Sequence, residues 1–287
     1  MSPFFNNKQN THSNEYNTRS GTGCPESGFL NAEPISRHLK TEFFGLCLHV
    51  FQSLPSTNAA IIEMAKTGAP HGTTVVADEQ TEGRGRGSRK WHSPPGVNLY
   101  LSVLVRPPIP PDKAPPITLA WAVAAAETLE QESGLTPTLK WPNDLTVENK
   151  KLCGILTEIN AVSQRTDWIV AGIGINVNIL DFPNELQATS TSLRICTGRS
   201  HSREILASVL LEKMEYWYGV LLRNGPVEIL ETWKSRPNIL GQTVTIKTHK
   251  GPIEGLAVNL DIDGALLLKT KNGGIERILS GDLVVPV

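Results

Sequence analysis

The sequence has no run approaching the roughly 18 consecutive apolar residues that a membrane-spanning helix requires, so a helical membrane protein is excluded. Paired cysteines are missing too. Cys24, Cys47, Cys153 and Cys196 form no CxxC unit of the metal-binding or redox type. A chain of 287 residues is too long to depend on disulfide staples, and a reducing compartment is expected. No sign of charge dominates: 27 Lys and Arg face 28 Asp and Glu, for a net charge of -1. That balance gives the whole molecule no attraction to nucleic acid or to an anionic membrane. The opening MSPFFNNKQN lacks the basic start and apolar centre of a secretory signal, so the expected location is the cytoplasm.

What is present describes a soluble globular chain, 39% hydrophobic and 19% charged, long enough for one large or two small domains. Residues 1–40 hold 14 Asn, Ser or Thr and show no periodicity before Ile35. Such a stretch buries too little apolar surface to offset its ordering entropy. It is expected to be a disordered tail whose removal through residue 38 leaves activity within a few-fold.

From Leu46 the pattern becomes regular. LCLHVFQ (46–52) reads as a strand, and Ser56 or Thr57 then caps a short helix that Gly68 ends. TTVVADE (73–79) is a second strand, and NLYLSVLVR (98–106) alternates as a half-buried one. The segment 117–134 is the clearest helix, stopped by Gly134. Strands follow at 138–141, 151–159 and 168–178, then a long helix over 202–222. Beyond Pro237 short strands are joined by Asp263-Gly264 and Asn272-Gly273, both hairpin signals. The expectation is an α+β protein: a mixed α/β domain over 41–235 and a small antiparallel β-barrel over 238–287.

Three segments carry chemistry. In Gln80-Thr81-Glu82-Gly83-Arg84-Gly85-Arg86-Gly87-Ser88-Arg89-Lys90-Trp91, alternating glycine lets backbone approach an anion while arginine offers it donors. A solvated basic loop would look the same locally. In Lys140-Trp141-Pro142-Asn143-Asp144 the bland reading is a turn, and the functional one is an Asp144 that holds Mg²⁺ with Lys140 as an anion partner. In AGIGINVN (171–178), Gly172 and Gly174 mark close approach by a ligand or another backbone, with Asn176 as a polar ligand. Lys151 reads alone as a solvated strand end, and Cys153 as a packed small residue.

In this order and spacing, STN (56–58), EQ…GRGR…W (79–91), NLYLSV (98–103), KWPND (140–144), KLCGIL (151–156) and GIGINVN (172–178) resemble the biotin protein ligases, over roughly 41–287. The resemblance implies an SH2-like, class II synthetase-like catalytic domain followed by an SH3-like barrel. It implies an enzyme that makes biotinyl-5′-AMP from biotin and ATP with Mg²⁺, then transfers biotin to a lysine of the biotin carboxyl carrier domain of a carboxylase. By the same resemblance, Ser56, Thr57, Asn58 and Gln80 bind biotin, joined by Arg84, Gly85 and Arg86 of the loop and by Lys151. Lys151 and Arg86 are the catalytic cations; Trp91, Asn143, Asp144 and Asn176 bind nucleotide, and Asp144 is the metal ligand.

Two departures stand out. The family's GRGRRG is GRGRGS here, so Gly87 replaces an arginine. The winged helix of bifunctional members has no counterpart before Leu46, so repressor activity and a DNA partner are not expected; no membrane partner is expected either, and a homodimer is compatible with the family. The competing readings are a lipoate–protein ligase on the same scaffold, a nucleic-acid-binding module built on RGRGSRK, and a catalytically inactive relative. The glycine–arginine loop is expected to need the ligand's anion to close.

Overall fold

Alternation of small and large apolar side chains along three long strands sets the two faces of the main sheet in the computed structural model, which describes residues 29–248 and 251–284. The first elements are β1 (Leu48–Leu54), α2 (Thr57–Lys66), β2 (Thr74–Gln80) and β3 (Leu99–Val105), preceded by a helix α1 (Ala32–His38). After α3 (Pro116–Ser133) come β4 (Thr138–Lys140), β5 (Asp144–Val147), β6 (Lys150–Val162) and β7 (Arg165–Ile175). These strands form one seven-stranded sheet in the order β1-β2-β3-β7-β6-β5-β4. β1 and β2 are parallel, with α2 as their crossover, and every other pairing is antiparallel.

On one face Leu99, Leu101, Val103 and Val105 join Ile169, Ala171, Ile173 and Ile175 in the principal core, beneath α3 and the long helix α6 (Arg203–Asn224). On the other, Leu104 and Val170 pack with Ile61 and Ala65 of α2. β3 is therefore buried along its whole length rather than half-buried. Its second face is covered by a helix that lies 30 or more residues earlier in the chain, which strand periodicity does not register. α3 ends where expected, on Gly134 at φ +77°, a left-handed conformation that glycine adopts without a Cβ penalty. Ser202 caps α6 by accepting the Ile205 N–H at 3.2 Å.

The short helices α4 (Asn184–Gln187) and α5 (Leu193–Thr197) lie between β7 and α6, and α7 (Val227–Ser235) follows α6. The chain closes with β8 (Thr243–Thr248), β9 (Gly251–Leu260), β10 (Leu266–Thr270), β11 (Ile275–Ile278) and β12 (Asp282–Val284). They form an antiparallel sheet in the order β11-β10-β9-β8-β12. Both hairpin signals are realised, with Gly264 at φ +83° and Gly273 at φ +81°. β11 and β12 lie at opposite edges, and no pairing closes the sheet into a barrel among the described residues. Val244, Ile246, Leu266 and Leu268 belong to the same buried cluster as α3 and α6, so this sheet shares a core with the first.

The expected tail of residues 1–40 needs correction at its end. Residues 1–28 lie outside the described residues, but Leu30 and Ile35 are buried and Ser208 of α6 donates to the Ile35 carbonyl at 3.0 Å. One apolar residue per helical turn suffices when a ready-made groove receives it, and periodicity over seven residues cannot show that. No helix among the described residues is long and apolar enough to cross a membrane.

Candidate active site

A cavity of about 380 Å³ opens beside the glycines of β6 and β7, and every residue assigned above to a site lines it. Alternation explains the space. Gly154 pairs with Gly174 across β6 and β7, and Leu156 pairs with Gly172. A Cβ on Gly174 would stand 2.5 Å from Cε2 and Nε1 of Trp91, and one on Gly154 would stand 2.9 Å from Cζ3 of the same ring. The indole lies in the trough that these two glycines leave. Its Nε1 is buried with no hydrogen-bond partner among the described residues, so a ligand acceptor is the group that would satisfy it.

One end of the cavity is polar and uncharged. Ser56 caps α2 by accepting the Ala59 N–H, which presents the first turn of the helix to the cavity. The Thr57 N–H and hydroxyl both donate to Gln80 Oε1, at 2.9 and 3.1 Å. Gln80 Nε2 donates to Ser93 Oγ, whose hydroxyl donates to the Trp91 carbonyl, each at 3.0 Å. Asn58 is committed inward: Oδ1 lies 2.7 Å from Ser102 Oγ, and Nδ2 donates to the Leu156 carbonyl at 3.2 Å and to Glu158 at 2.8 Å. Asn58 therefore shapes the wall with its amide hydrogens already used.

The other end is cationic. Lys151 Nζ forms an ion pair with Asp144 Oδ1 at 2.7 Å and stands 5.2 Å from the Trp91 ring centroid. Its backbone is fixed by the Thr189 carbonyl at 2.7 Å and the Thr191 N–H at 3.0 Å, so Lys151 is no solvated strand end. Asn176 ties this segment down by donating Nδ2 to the Thr191 carbonyl at 3.0 Å. Asn143 donates Nδ2 to the Ile155 carbonyl at 2.6 Å and accepts Arg86 at 3.2 Å. Arg86 also donates to the Gly281 carbonyl at 3.2 Å, and Arg89 pairs with Asp282 at 2.6 Å. Burial holds the Arg86 guanidinium below its ordinary value. Arginine stays protonated regardless, and low solvent access makes its charge act more strongly on an anion.

Backbone hydrogen bonds fold the glycine–arginine loop onto itself. The Gly85 N–H donates to the Arg89 carbonyl at 2.8 Å and the Trp91 N–H to the Gly83 carbonyl at 2.9 Å. Gly87 sits at φ +63° with open space around it, a conformation in which the family's arginine would be strained.

Burial pushes the Cys153 thiol far up, and its side chain joins the principal core, so it offers no nucleophile. Burial lowers the pKa of His92, which also lines the cavity. The arrangement can hold a molecule with a neutral polar head and negatively charged groups at its other end.

The Biotin/lipoate A/B protein ligase family model matches residues 50–176, and the Biotin protein ligase C terminal domain model matches residues 239–285. The bifunctional ligase/repressor BirA of Bacillus subtilis (strain 168) is 40% identical over 258 residues, which cover 89% of this chain and 79% of that protein. This chain belongs to the biotin protein ligase family. The ligase is also 31% identical over 244 residues to the biotin–[acetyl-CoA-carboxylase] ligase of Mycobacterium tuberculosis, covering 83% of this chain and 88% of that one. Its fold matches the biotin protein ligase of Aquifex aeolicus solved with biotin and ATP, with a TM-score of 0.73 and 30% identity over 84% of this chain and 99% of that one.

Several residues that line the cavity or support its walls are given no role by the motifs of the sequence. Gly154 belongs with Gly172 and Gly174, and the shared signal is a glycine on each of two neighbouring strands. Ser93, Ser102 and Glu158 carry no local signature. Gly281 and Asp282 reach the cavity from the C-terminal sheet.

Proposed function

We propose that the ligase activates biotin with ATP as biotinyl-5′-AMP and transfers it to one lysine of the biotin carboxyl carrier domain of acetyl-CoA carboxylase or a related carboxylase. Residues 41–235 are the catalytic part, and 238–287 supply the C-terminal module that touches Arg86 and Arg89. One observation carries the reading: a single cavity joins the neutral Thr57–Gln80 relay to the Lys151 and Arg86 cations. A ureido ring matches the first in hydrogen-bonding capacity, and a carboxylate meeting a phosphate matches the second.

In the first step a carboxylate oxygen of biotin attacks the α-phosphorus, the bond to the bridging oxygen breaks, and pyrophosphate leaves. Two like charges about 4 Å apart repel by roughly 4 kcal/mol at an effective dielectric near 20. Lys151 and Arg86 offset that repulsion, and they do so more as charge builds on the phosphorus oxygens. Asp144 fits a magnesium site in one respect: it is a carboxylate on the cavity wall, and Mg²⁺ is commonly held by one or two carboxylates together with substrate phosphates. No cluster of three or more His, Cys, Asp or Glu gathers among the described residues, so the remaining ligands would be phosphate and water. Magnesium there would supply positive charge to the phosphates. In the second step the carrier's lysine amine attacks the carbonyl of the mixed anhydride and AMP leaves. No enzyme nucleophile takes part.

The test is incubation with biotin and ATP, reading pyrophosphate release and biotinyl-AMP, then label on an added carrier domain. Free lipoate as competitor separates the two substrates of this scaffold. Lipoyl transfer that outruns biotin transfer would overturn the biotin assignment.

A further inference from the structure

Glu158 stands on β6 between two elements that the proposed function uses. Its Oε2 accepts Asn58 Nδ2 and its Oε1 accepts a guanidinium N–H of Arg84, each at 2.8 Å. The Asn58 side is rigid. Asn58 is buried, Ser102 Oγ lies 2.7 Å from its Oδ1, and a Cβ on Gly172 would come within 2.1 Å of that oxygen. The Arg84 side belongs to the loop, where residues 84 and 90 form an antiparallel bridge and the Gly85 and Trp91 N–H groups close the turn. One carboxylate thus fastens a loop to a wall.

The two loop arginines are held differently. Arg84 is half-exposed and paired with a full negative charge. Arg86 is more buried and donates to two neutral oxygens, Asn143 Oδ1 and the Gly281 carbonyl, and forms no ion pair among the described residues. The charge of Arg84 is spent on holding the loop, and that of Arg86 stays available to an anion in the cavity.

We infer that Glu158 is a positioning residue that latches the glycine–arginine loop to the wall of the biotin pocket. The inference rests on reading this cavity as the biotin site. It assigns loop closure in part to the protein itself. The ligand then has less ordering entropy to supply on binding, which tightens retention of biotin and of its adenylate.

Hydrogen–deuterium exchange over residues 83–91 of the ligand-free protein reads the latch directly, whatever the substrate. For Glu158→Gln, which keeps the side chain's size and an acceptor for Asn58, exchange there should rise about five-fold, the scale of one partly exposed ion pair. Arg84→Met should do the same, and the double variant should exchange no faster than Arg84→Met alone, because one pair is lost in each. The consequence is read by kinetics: biotin KM should rise several-fold in Glu158→Gln while ATP KM stays within two-fold. Unchanged loop exchange in either single variant, or additive effects in the double variant, would overturn the latch. A global loss of protection in Glu158→Gln would likewise overturn it, by making the residue a structural prop. Faster loop exchange with unchanged biotin KM would remove the link to substrate, and failure of biotin activation in the unaltered protein would separately defeat the functional reading.

Discussion

The Lys151 ammonium lies 2.7 Å from the Asp144 carboxylate, so the lysine that faces the cavity carries its own counter-ion. Gly154 makes this geometry possible: a Cβ there would stand 3.0 Å from Lys151 Cε. The lysine chain passes over Gly154 of β6, and its Nζ stands 5.2 Å from the Trp91 ring centroid. Asp144 thereby fixes where the charge sits, and an incoming anion meets a cation that needs no rearrangement to receive it.

Lys151→Met keeps the length of the side chain and removes the charge. Adenylation should slow by about 10²-fold or more, as for loss of one preorganised charge-stabilising donor. Pyrophosphate release in single-turnover experiments measures this. A rate equal to that of the unaltered protein would mean that Lys151 serves only its ion pair.

The two glycines of β7 should fail in different ways. Gly174→Ala pushes on Trp91, which is partly exposed and can move, so ATP KM should rise about ten-fold with folding preserved. Gly172→Ala pushes on Asn58, which is buried, and should cost about 1–3 kcal/mol of stability. Steady-state kinetics and urea titration of both variants distinguish the outcomes; a shared phenotype would contradict the division of roles between them.

Truncation tests the docking of α1. Removing residues 1–28 keeps every contact described for Leu30 and Ile35, whereas removing 1–38 takes both buried side chains away. Fully burying one such side chain contributes about 1.5–3 kcal/mol, so the longer deletion should lower Tm by of order 10 °C. Equal melting curves for the two truncations would show that α1 adds little.

Acid should destabilise the fold through His71. Its Nδ1 accepts the Arg106 N–H at 3.1 Å, and its ring packs 4.7 Å from Phe43 and 5.3 Å from Tyr218. Burial lowers its pKa from the usual 6.5, opposed by nearby Glu215. The unfolded chain therefore takes up a proton first as pH falls. Stability is complete above about 6.5 and declines from there toward the folded value. Urea midpoints between pH 7.5 and 5 should fall, and His71→Gln should flatten that dependence. An unchanged slope in the variant would assign the loss to other groups.

Much of this protein was legible locally. Ser56 as a cap, Gly134 as a stop, the Asp263-Gly264 and Asn272-Gly273 turns and the alternation of β3 follow from steric and hydrogen-bonding preferences that act over a few residues. That the residues named for the site would lie together came from the resemblance of ordered motifs, and one cavity gathers them. Tertiary structure alone decided the rest. Glu158 meets Arg84 across 74 residues, Arg86 meets Gly281 across 195, and Ile35 meets Ser208 across 173. These contacts depend on strand register and on which face each helix covers. A carboxylate on a strand reads the same in sequence whether it faces water or an arginine, and an isoleucine after a polar run reads the same whether or not a groove awaits it. Only the packed sheet, which brings β6 beside α2 and the C-terminal strands beside the loop, gives those residues their partners.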